Sequence, residues 1–198
     1  LRLGVSLNRC LTGCLGIDFQ FSRGIDIASR SQGDVGKGTP LSRSSGKNNF
    51  SHFNLDTTYA VALDKDLEFN INTGGQLSLD DLLNSEQSSI TGPDKLSGFT
   101  SGSISGDESW YFRGQLNYKK KLSNKLTLTP YVYGATGVSY TLTPTATENR
   151  ATAAKSIGLG LKMDGIDNYF FDKNISAKVE YSKNWATGVL EDVSDVRL

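Results

Sequence analysis

Residues 110–118 read WYFRGQLNY, and apolar and polar side chains alternate along this segment. One parity contains Trp110, Phe112, Gly114, Leu116 and Tyr118, and the other contains Tyr111, Arg113, Gln115 and Asn117. Successive side chains of a β-strand point to opposite faces. The segment is therefore predicted to be a strand with one apolar face and one wet face.

The same period of two recurs in other parts of the chain. It is found at residues 1–8, 15–22, 52–63, 67–73, 156–163 and 175–182, with a longer and less regular strand at 126–140. No segment has a convincing helical period. We predict eight strands, and we interpret residues 196–198 as the first residues of a ninth strand that has been cut.

Composition excludes several classes of protein. The 198 residues include 21 acidic and 21 basic side chains, and a formal net charge of zero argues against a general nucleic-acid-binding protein. The longest apolar runs are far shorter than the roughly 20 residues that a transmembrane helix needs. No initiating Met or signal peptide is recognised at the start, and we expect the chain to be an internal fragment.

The predicted connections alternate between short and long. Short ones are expected at residues 10–13, 64–66 and 122–125, long ones at 26–49 and 79–107, and those at 143–150 and 164–174 blur the pattern. Outer-membrane barrels have short periplasmic turns and long outer loops. Predicted strands of about 9 to 12 residues also match a tilted bilayer crossing better than the shorter strands of soluble proteins.

Aromatic residues near the strand ends are candidates for the two interfacial girdles of such a barrel. They are Tyr59, Trp110, Tyr118, Tyr140, Phe170, Phe171, Tyr181 and Trp185. A soluble β-sandwich is the alternative that alternation alone leaves open. The loops, strand lengths and aromatic residues favour an all-β, transmembrane antiparallel β-barrel.

The polar side chains that alternate with these apolar ones would then line a hydrated lumen. Its charged residues are Arg2, Asp18, Asp56, Glu68, Arg113, Lys162, Lys178 and Glu180. Charges of both signs suit a pore that passes or holds polypeptide, and we interpret most of them as solvated. Eight strands would leave two unpaired edges in hydrocarbon, so we expect the full-length protein to supply more strands.

Residues 75–116 read GQLSLDDLLNSEQSSITGPDKLSGFTSGSISGDESWYFRGQL. This segment resembles the haemolysin secretion/activation proteins, the outer-membrane transporters of two-partner secretion. The matching positions are Gly75, Gln76, Ser85, Glu86, Gln87, Gly98, Phe99, Gly102, Ser103, Ser105, Gly106, Asp107, Tyr111, Arg113 and Leu116. Residues 130–137, PYVYGATG, resemble the next strand of the family, and residues 156–162 resemble its Gly-x-Gly-Leu-Arg strand.

The resemblance implies a sixteen-stranded barrel preceded by two periplasmic polypeptide-binding domains and a plug helix. Residues 1–198 would be the C-terminal part of that barrel, with eight to nine strands, and the N-terminal domains and first strands would be absent. It also implies that the long loop at residues 79–107 folds back into the lumen.

The resemblance assigns candidate site residues along this loop and the facing wall. The loop tip would be Leu96, Ser97, Gly98 and Phe99, and the docking and inner-wall residues would be Asp107, Arg113, Tyr133, Ala135 and Gly137. In the family an Arg at the loop tip pairs with an Asp on the wall. Ser97 and Ala135 stand at those positions here, so we expect docking through Phe99, the glycine-rich backbone and Asp107 or Arg113. A weaker latch and a non-functional copy both remain open.

Other conspicuous residues receive structural interpretations. We favour an incidental pair over a disulfide for Cys10 and Cys14, which lack the further ligands that a metal site needs. His52 is interpreted as a solvated lumen residue rather than a general base. Gly158 and Gly160 are expected to allow close packing or bending of a strand. Asp80 and Asp81 are interpreted as surface charges without partners.

The function expected from these features is export of one large, unfolded, secreted exoprotein of the adhesin or haemolysin type. The pore would be monomeric, surrounded by outer-membrane lipid of a Gram-negative bacterium, and gated by the loop. No catalytic residue, cofactor, metal or nucleic-acid partner is expected. An insertase of the same superfamily and a passive diffusion porin are the alternatives.

Overall fold

The computed structural model describes residues 1–25, 43, 45–123, 126–144, 148–168, 171–188 and 194–197. Its strands are β1 (Arg2–Cys10), β2 (Gly13–Arg23), β3 (Ser51–Ala62), β4 (Leu67–Ser78), β5 (Ser88–Ser89), β6 (Ser105–Gly106), β7 (Glu108–Tyr118), β8 (Lys120–Ser123), β9 (Leu126–Tyr140), β10 (Ala151–Asn168), β11 (Phe171–Thr187) and β12 (Ser194–Arg197). One turn of 3-10 helix covers Asn84–Glu86. Within the described residues, no helix has the length and apolar character needed to cross a membrane.

The strands form one antiparallel sheet in the order β1-β2-β3-β4-β7-β9-β10-β11-β12. The short strand β8 follows β7 and pairs with the same side of β9. Each strand thus pairs with its neighbour along the chain, as in an up-and-down barrel wall. All eight predicted strands are confirmed, and the ninth is present as β12, which pairs with β11. The short strands β5 and β6 form a separate hairpin within the connection from β4 to β7.

The prediction of a connection at residues 164–174 is wrong, because β10 and β11 extend through most of it. Ile166 pairs with Ile175 and Asn168 pairs with Phe171, with register shifts on either side of Ile166. These irregularities interrupt the period of two, which is why the sequence pattern did not show the strand. With this correction, the strand ends that short connections join, from β1 to β2, β3 to β4, β8 to β9 and β10 to β11, lie at one end of the sheet. The strand ends that longer connections join lie at the other end.

The two faces of the sheet reverse the arrangement found in a soluble protein. Apolar side chains on one face are exposed, including Val5 at 70% and Leu159 at 58%. On the other face polar side chains are buried, including Arg113 and Asn184 at 2% each. A soluble β-sandwich would bury its apolar face. The exposed apolar face is instead the lipid-facing surface of a transmembrane barrel wall.

Several predicted girdle residues lie near the ends of this apolar face. Trp110, Tyr140 and Trp185 are exposed close to the long connections, and Tyr118 is exposed close to a short turn. The remaining candidates do not mark an end of the apolar face. Tyr59 is partly buried, and Tyr181 is exposed but lies farther along β11. Phe170 lies outside the described residues, and only the backbone of Phe171 is described.

The interpretation of Cys10 and Cys14 as an incidental pair is wrong. The two residues face each other across the turn between β1 and β2, and their sulfurs are bonded in the structure. The hairpin register brings them together, since residues that are four apart become direct cross-strand partners around a tight turn. The disulfide lies at the short-turn end of the wall, which is the oxidising periplasmic side of an outer-membrane barrel.

The expected role of Gly158 and Gly160 in close packing is confirmed. A Cβ on Gly158 would lie 2.5 Å from the Tyr133 ring, and one on Gly160 would overlap the Tyr131 ring. The missing side chains therefore leave space for two tyrosine rings on the inner wall.

We predict that a charge is tolerated on one face of β3 and not on the other. Leu55→Lys places an ammonium on the exposed apolar face and should lower the free energy of unfolding by about 2–4 kcal/mol in a bilayer. The matched variant Thr58→Lys, on the polar face of the same strand, should change it by less than about 1 kcal/mol. Urea unfolding of the full-length protein in lipid vesicles measures both, and equal losses would contradict the assigned faces.

Candidate functional site

The connection from β4 to β7, residues 79–107, folds back over the polar face of the sheet. We call it the lumen loop. Leu82, Ile90 and Leu96 of this loop are fully buried, and Ile104 is 5% exposed. Most of these side chains pack with the wall residues Tyr111, Tyr131, Tyr133, Ala135 and Ala154 in one apolar cluster. The loop thus brings its own apolar side chains into a polar lumen.

Short backbone contacts give the lumen loop its folded shape. Ile90 N donates to Ile104 O at 3.1 Å, and Leu96 N donates to Ile90 O at 3.3 Å. Gly102 has a φ of 79°, a left-handed conformation that favours glycine where the chain turns back. The loop is therefore compact, with a turn just after its tip.

At the tip, Ser97 lies between two charged residues of the wall. Its hydroxyl donates to the Glu180 carboxylate and accepts from Arg113 Nη1 at 2.6 Å. Arg113 Nη2 is 3.5 Å from Glu180 Oε2, and both side chains are nearly inaccessible. Arg113 Nη1 also donates to the Lys95 carbonyl at 3.1 Å. A serine of the loop thus joins an ion pair whose two members belong to β7 and β11.

The next residue brings the loop backbone close to β11. Asn184 Nδ2 donates to the Gly98 carbonyl at 2.8 Å. A Cβ on Gly98 would lie 2.5 Å from Ser182 Oγ and would overlap the Asn184 amide. Glycine is needed here because the backbone approaches the wall too closely for a side chain. Phe99 is partly buried against the apolar cluster.

The wall beneath the tip is built from β7, β9, β10 and β11. The Arg113 guanidinium lies 3.7 Å from the centre of the Tyr133 ring, and Gln115 Oε1 accepts from its Nε and Nη2. Tyr133 Oη is 3.1 Å from Ser156 Oγ. Arg113 therefore keeps partners on the wall that do not depend on the lumen loop.

The remaining wall candidates also lie under the loop. Ala135 is 7% exposed within the apolar cluster, and a Cβ on Gly137 would lie 3.2 Å from Ile90. All nine predicted site residues thus lie in the lumen loop or on the wall that it covers. Asp107 lies at the root of the loop, away from the tip.

At the root, Asp107 is fully buried and its carboxylate accepts several hydrogen bonds. Arg43 Nη1 donates to both oxygens at 2.6 and 2.8 Å. The backbone N–H groups of Leu82 and Leu142 donate at 3.0 and 2.8 Å, and Gln87 Nε2 donates at 3.3 Å. The carboxylate therefore joins the two ends of the lumen loop to the connections before β3 and after β9.

The structure corrects two interpretations of polar residues near the loop. His52 is not solvated: it is 2% exposed, and its Nε2 lies 3.5 Å from Glu86 Oε2 of the loop. Asp80 is not without partners, since it pairs with Lys47 Nζ at 2.9 Å and accepts from the backbone N–H of Ser51 at 3.1 Å. The first correction arises because the lumen loop covers His52, and the second because the connection before β3 brings Lys47 to Asp80.

Three residues of the site were not identified as such from the sequence. Glu180 was recognised only as a lumen charge, and Asn184 continues the same inward parity, which is a signal that could have found it. Arg43 lies in a long connection without periodicity and gave no signal. Among the described residues, no group of three or more potential ligands could hold a metal ion.

A lipid-facing β-sheet wall with a loop packed on its polar face defines an outer-membrane β-barrel whose lumen is occupied by one of its own loops. The model of the family described as haemolysin secretion/activation protein ShlB/FhaC/HecB matches residues 1–163. The chain belongs to this family, which consists of outer-membrane transporters of Gram-negative bacteria.

A solved structure has the same fold. The chain is similar to CdiB from Escherichia coli with a TM-score of 0.69 and 16% sequence identity, over 98% of this chain and 34% of that one. The chain thus spans about a third of the length of this relative. No curated protein matches the sequence.

We predict that acid weakens the root of the lumen loop. Burial by itself raises the pKa of Asp107, but the hydrogen bonds from Arg43, Leu142 and Leu82 outweigh it and hold the pKa below its usual 3.8. A lowered pKa adds stability above about pH 4, and this stability is lost as the pH falls through the lowered value.

The thermal midpoint of the full-length protein in detergent, followed from pH 7 to pH 3, tests this prediction. Asp107→Asn should lower the midpoint at pH 7 and reduce its fall in acid. The control Asp64→Asn, in an exposed short turn, should leave the profile as in wild type. A profile for Asp107→Asn parallel to that of wild type would contradict the prediction.

Proposed function

We propose that the full-length protein exports a large, unfolded partner exoprotein through its barrel in two-partner secretion, and that the lumen loop is the gate. The observation that carries the proposal is the packing of residues 79–107 against the inner wall, which occupies the path that a substrate would take. Membership of a family of secretion proteins and the fold shared with CdiB support it. The proposal requires no catalytic residue or cofactor.

The lining of the lumen suits an extended polypeptide without a fixed sequence. Inward-facing residues include both cations and anions, among them Arg2, Asp18, Lys178 and Glu180. Lys178 Nζ is also 5.4 Å from the centre of the Tyr131 ring. Mixed charges and aromatic faces make weak contacts with many peptide groups, so no single segment is held tightly. An adhesin or haemolysin type of substrate remains part of the proposal.

We further propose that the tip contacts form the latch of the gate. The loop contributes a hydroxyl and a backbone carbonyl, whereas both members of the ion pair belong to the wall. When the tip leaves, Arg113 and Glu180 can remain paired, so neither charge is left alone in the lumen. Unpaired buried charges are costly, and this arrangement avoids that cost in the open state.

Residues 1–198 are proposed to be the C-terminal part of a sixteen-stranded monomeric barrel, preceded by two periplasmic polypeptide-binding domains. The share of CdiB that the chain covers agrees with a longer protein. An insertase would assemble barrels instead of exporting a substrate, and a diffusion porin would show steady open conductance. Both are outcomes that the following experiment distinguishes.

Reversible locking of the lumen loop tests the proposed gate. Cysteines at Ser88 of the lumen loop and Ser109 of β7, in a variant with Cys10→Ser and Cys14→Ser, should form a disulfide, because the two serine hydroxyls are hydrogen-bonded to each other. Export of the exoprotein encoded next to the full-length gene should stop under oxidation and resume after reduction. Each single-cysteine variant serves as a control.

Deletion of residues 96–100 provides a second arm. The deletion removes the tip contacts that hold the gate closed, so the open probability in planar bilayers should rise although the barrel remains inserted. Continued export by the oxidised double-cysteine variant would overturn the gate. Absence of export even in the wild type, with a correctly inserted barrel, would overturn the assigned transport function and favour the insertase, the porin or an inactive copy.

The latch predicts how often the closed channel opens. Ser97→Ala removes two hydrogen bonds to charged groups, each worth about 1.5–3 kcal/mol, and leaves the Arg113–Glu180 pair in place. The open probability of the full-length protein in planar bilayers should rise at least about tenfold. Ser101→Ala, the same substitution at an exposed position of the loop, should leave it unchanged. Equal behaviour of both variants would contradict the latch.

A further inference from the structure

Three long connections meet at the Asp107 carboxylate. Arg43 comes from the connection between β2 and β3, Leu82 from the start of the lumen loop, and Leu142 from the connection between β9 and β10. All three connections lie at the long-loop end of the wall. This cluster is separate from the tip contacts of Ser97, which lie deeper in the lumen.

Arg43 is the only cation that pairs with Asp107 among the described residues. Its side chain is 3% exposed, and the Asp107 side chain is fully buried. Arg43 Nη2 also donates to the Thr143 carbonyl at 3.0 Å, and Nη1 lies 3.4 Å from the Leu82 carbonyl. One guanidinium therefore bridges the root of the lumen loop and the connection after β9.

A carboxylate that is fully buried needs a positive partner, because burial without one is costly. Removal of Arg43 would leave the Asp107 charge with neutral donors only. Hydration of Asp107 would then require the three connections to separate. The same carboxylate holds both ends of the lumen loop, so this separation would loosen the loop where it enters and leaves the wall.

We infer that Arg43 is a positioning residue of the gate, which holds the root of the lumen loop through Asp107 and couples it to the outer connections. The root differs from the tip in the origin of its charges. At the tip both charges belong to the wall, whereas at the root the cation comes from a separate outer connection. Loss of the Arg43 guanidinium from Asp107 therefore releases the root of the lumen loop.

The relevance of this coupling to export rests on the proposed function, but the position of the loop can be tested without export. The variants are Arg43→Gln, which removes the charge, and Arg43→Lys, which keeps it but cannot bridge as broadly. Lys47→Ala is the matched control, since Lys47 lies in the same connection and its pair with Asp80 is partly exposed. The full-length protein is used throughout.

Two measurements follow the loop. The first is open probability in planar bilayers, which should rise about a hundredfold or more in Arg43→Gln and less in Arg43→Lys. Lys47→Ala should change it by no more than about fivefold. The second is the rate at which a membrane-impermeant maleimide labels a cysteine at Thr91 of the lumen loop, which is 3% exposed. Labelling should become faster in Arg43→Gln and remain slow in Lys47→Ala.

Heat-modifiable migration in detergent gels confirms that each barrel is folded. Wild-type opening and labelling in a folded Arg43→Gln protein would overturn the inference. If that variant fails to fold, wild-type values in Arg43→Lys overturn it instead. Faster labelling without any effect of the Ser88–Ser109 lock on export would keep the coupling and reject the gate. Normal labelling in Arg43→Gln together with a lock that stops export would keep the gate and reject the coupling.

Discussion

Hydrocarbon provides no hydrogen-bonding partner for a backbone group, and this constraint underlies the whole structure. Each long strand is consequently paired along its length with its sequence neighbours, and apolar side chains take the face that contacts lipid. Polar side chains are left to the opposite face. The wall thus creates a hydrophilic lumen before any functional residue is considered, and a chain that seals this lumen must satisfy polar groups as well as fill space.

The lumen loop meets both requirements with different residues. Ile90 and Leu96 share one apolar cluster with Tyr131 and Tyr133, whose rings fit over Gly160 and Gly158. Around this apolar cluster, Ser97 and the Gly98 carbonyl satisfy Arg113, Glu180 and Asn184. The tip contacts are individually modest, whereas the root is held by a fully buried ion pair. The loop is therefore held more firmly at its root than at its tip.

The strand pattern was recovered from sequence because it depends on local alternation. Parity placed Arg113 and Glu180 in the lumen and Leu159 towards lipid, and the structure agrees. Burial was not recovered in the same way. His52, Asp80 and Glu180 were read as solvated or unpaired because the residues that cover or pair with them are far away in the chain. The bulged hairpin at Gly165 was missed because irregular register removes the alternation.

The sequence by itself determined the class of fold, the lipid-facing and lumen-facing sides of each regular strand, and the resemblance that family membership confirmed. These features depend on side chains that are close together in the chain, since the direction of side chains along a strand repeats every two residues. Only the tertiary structure decided that Ser97 joins Arg113 to Glu180, that Arg43 reaches Asp107, and that Cys10 is bonded to Cys14. Those contacts depend on register and on the path of long connections, which bring distant segments to one place and leave no periodic signal in the chain.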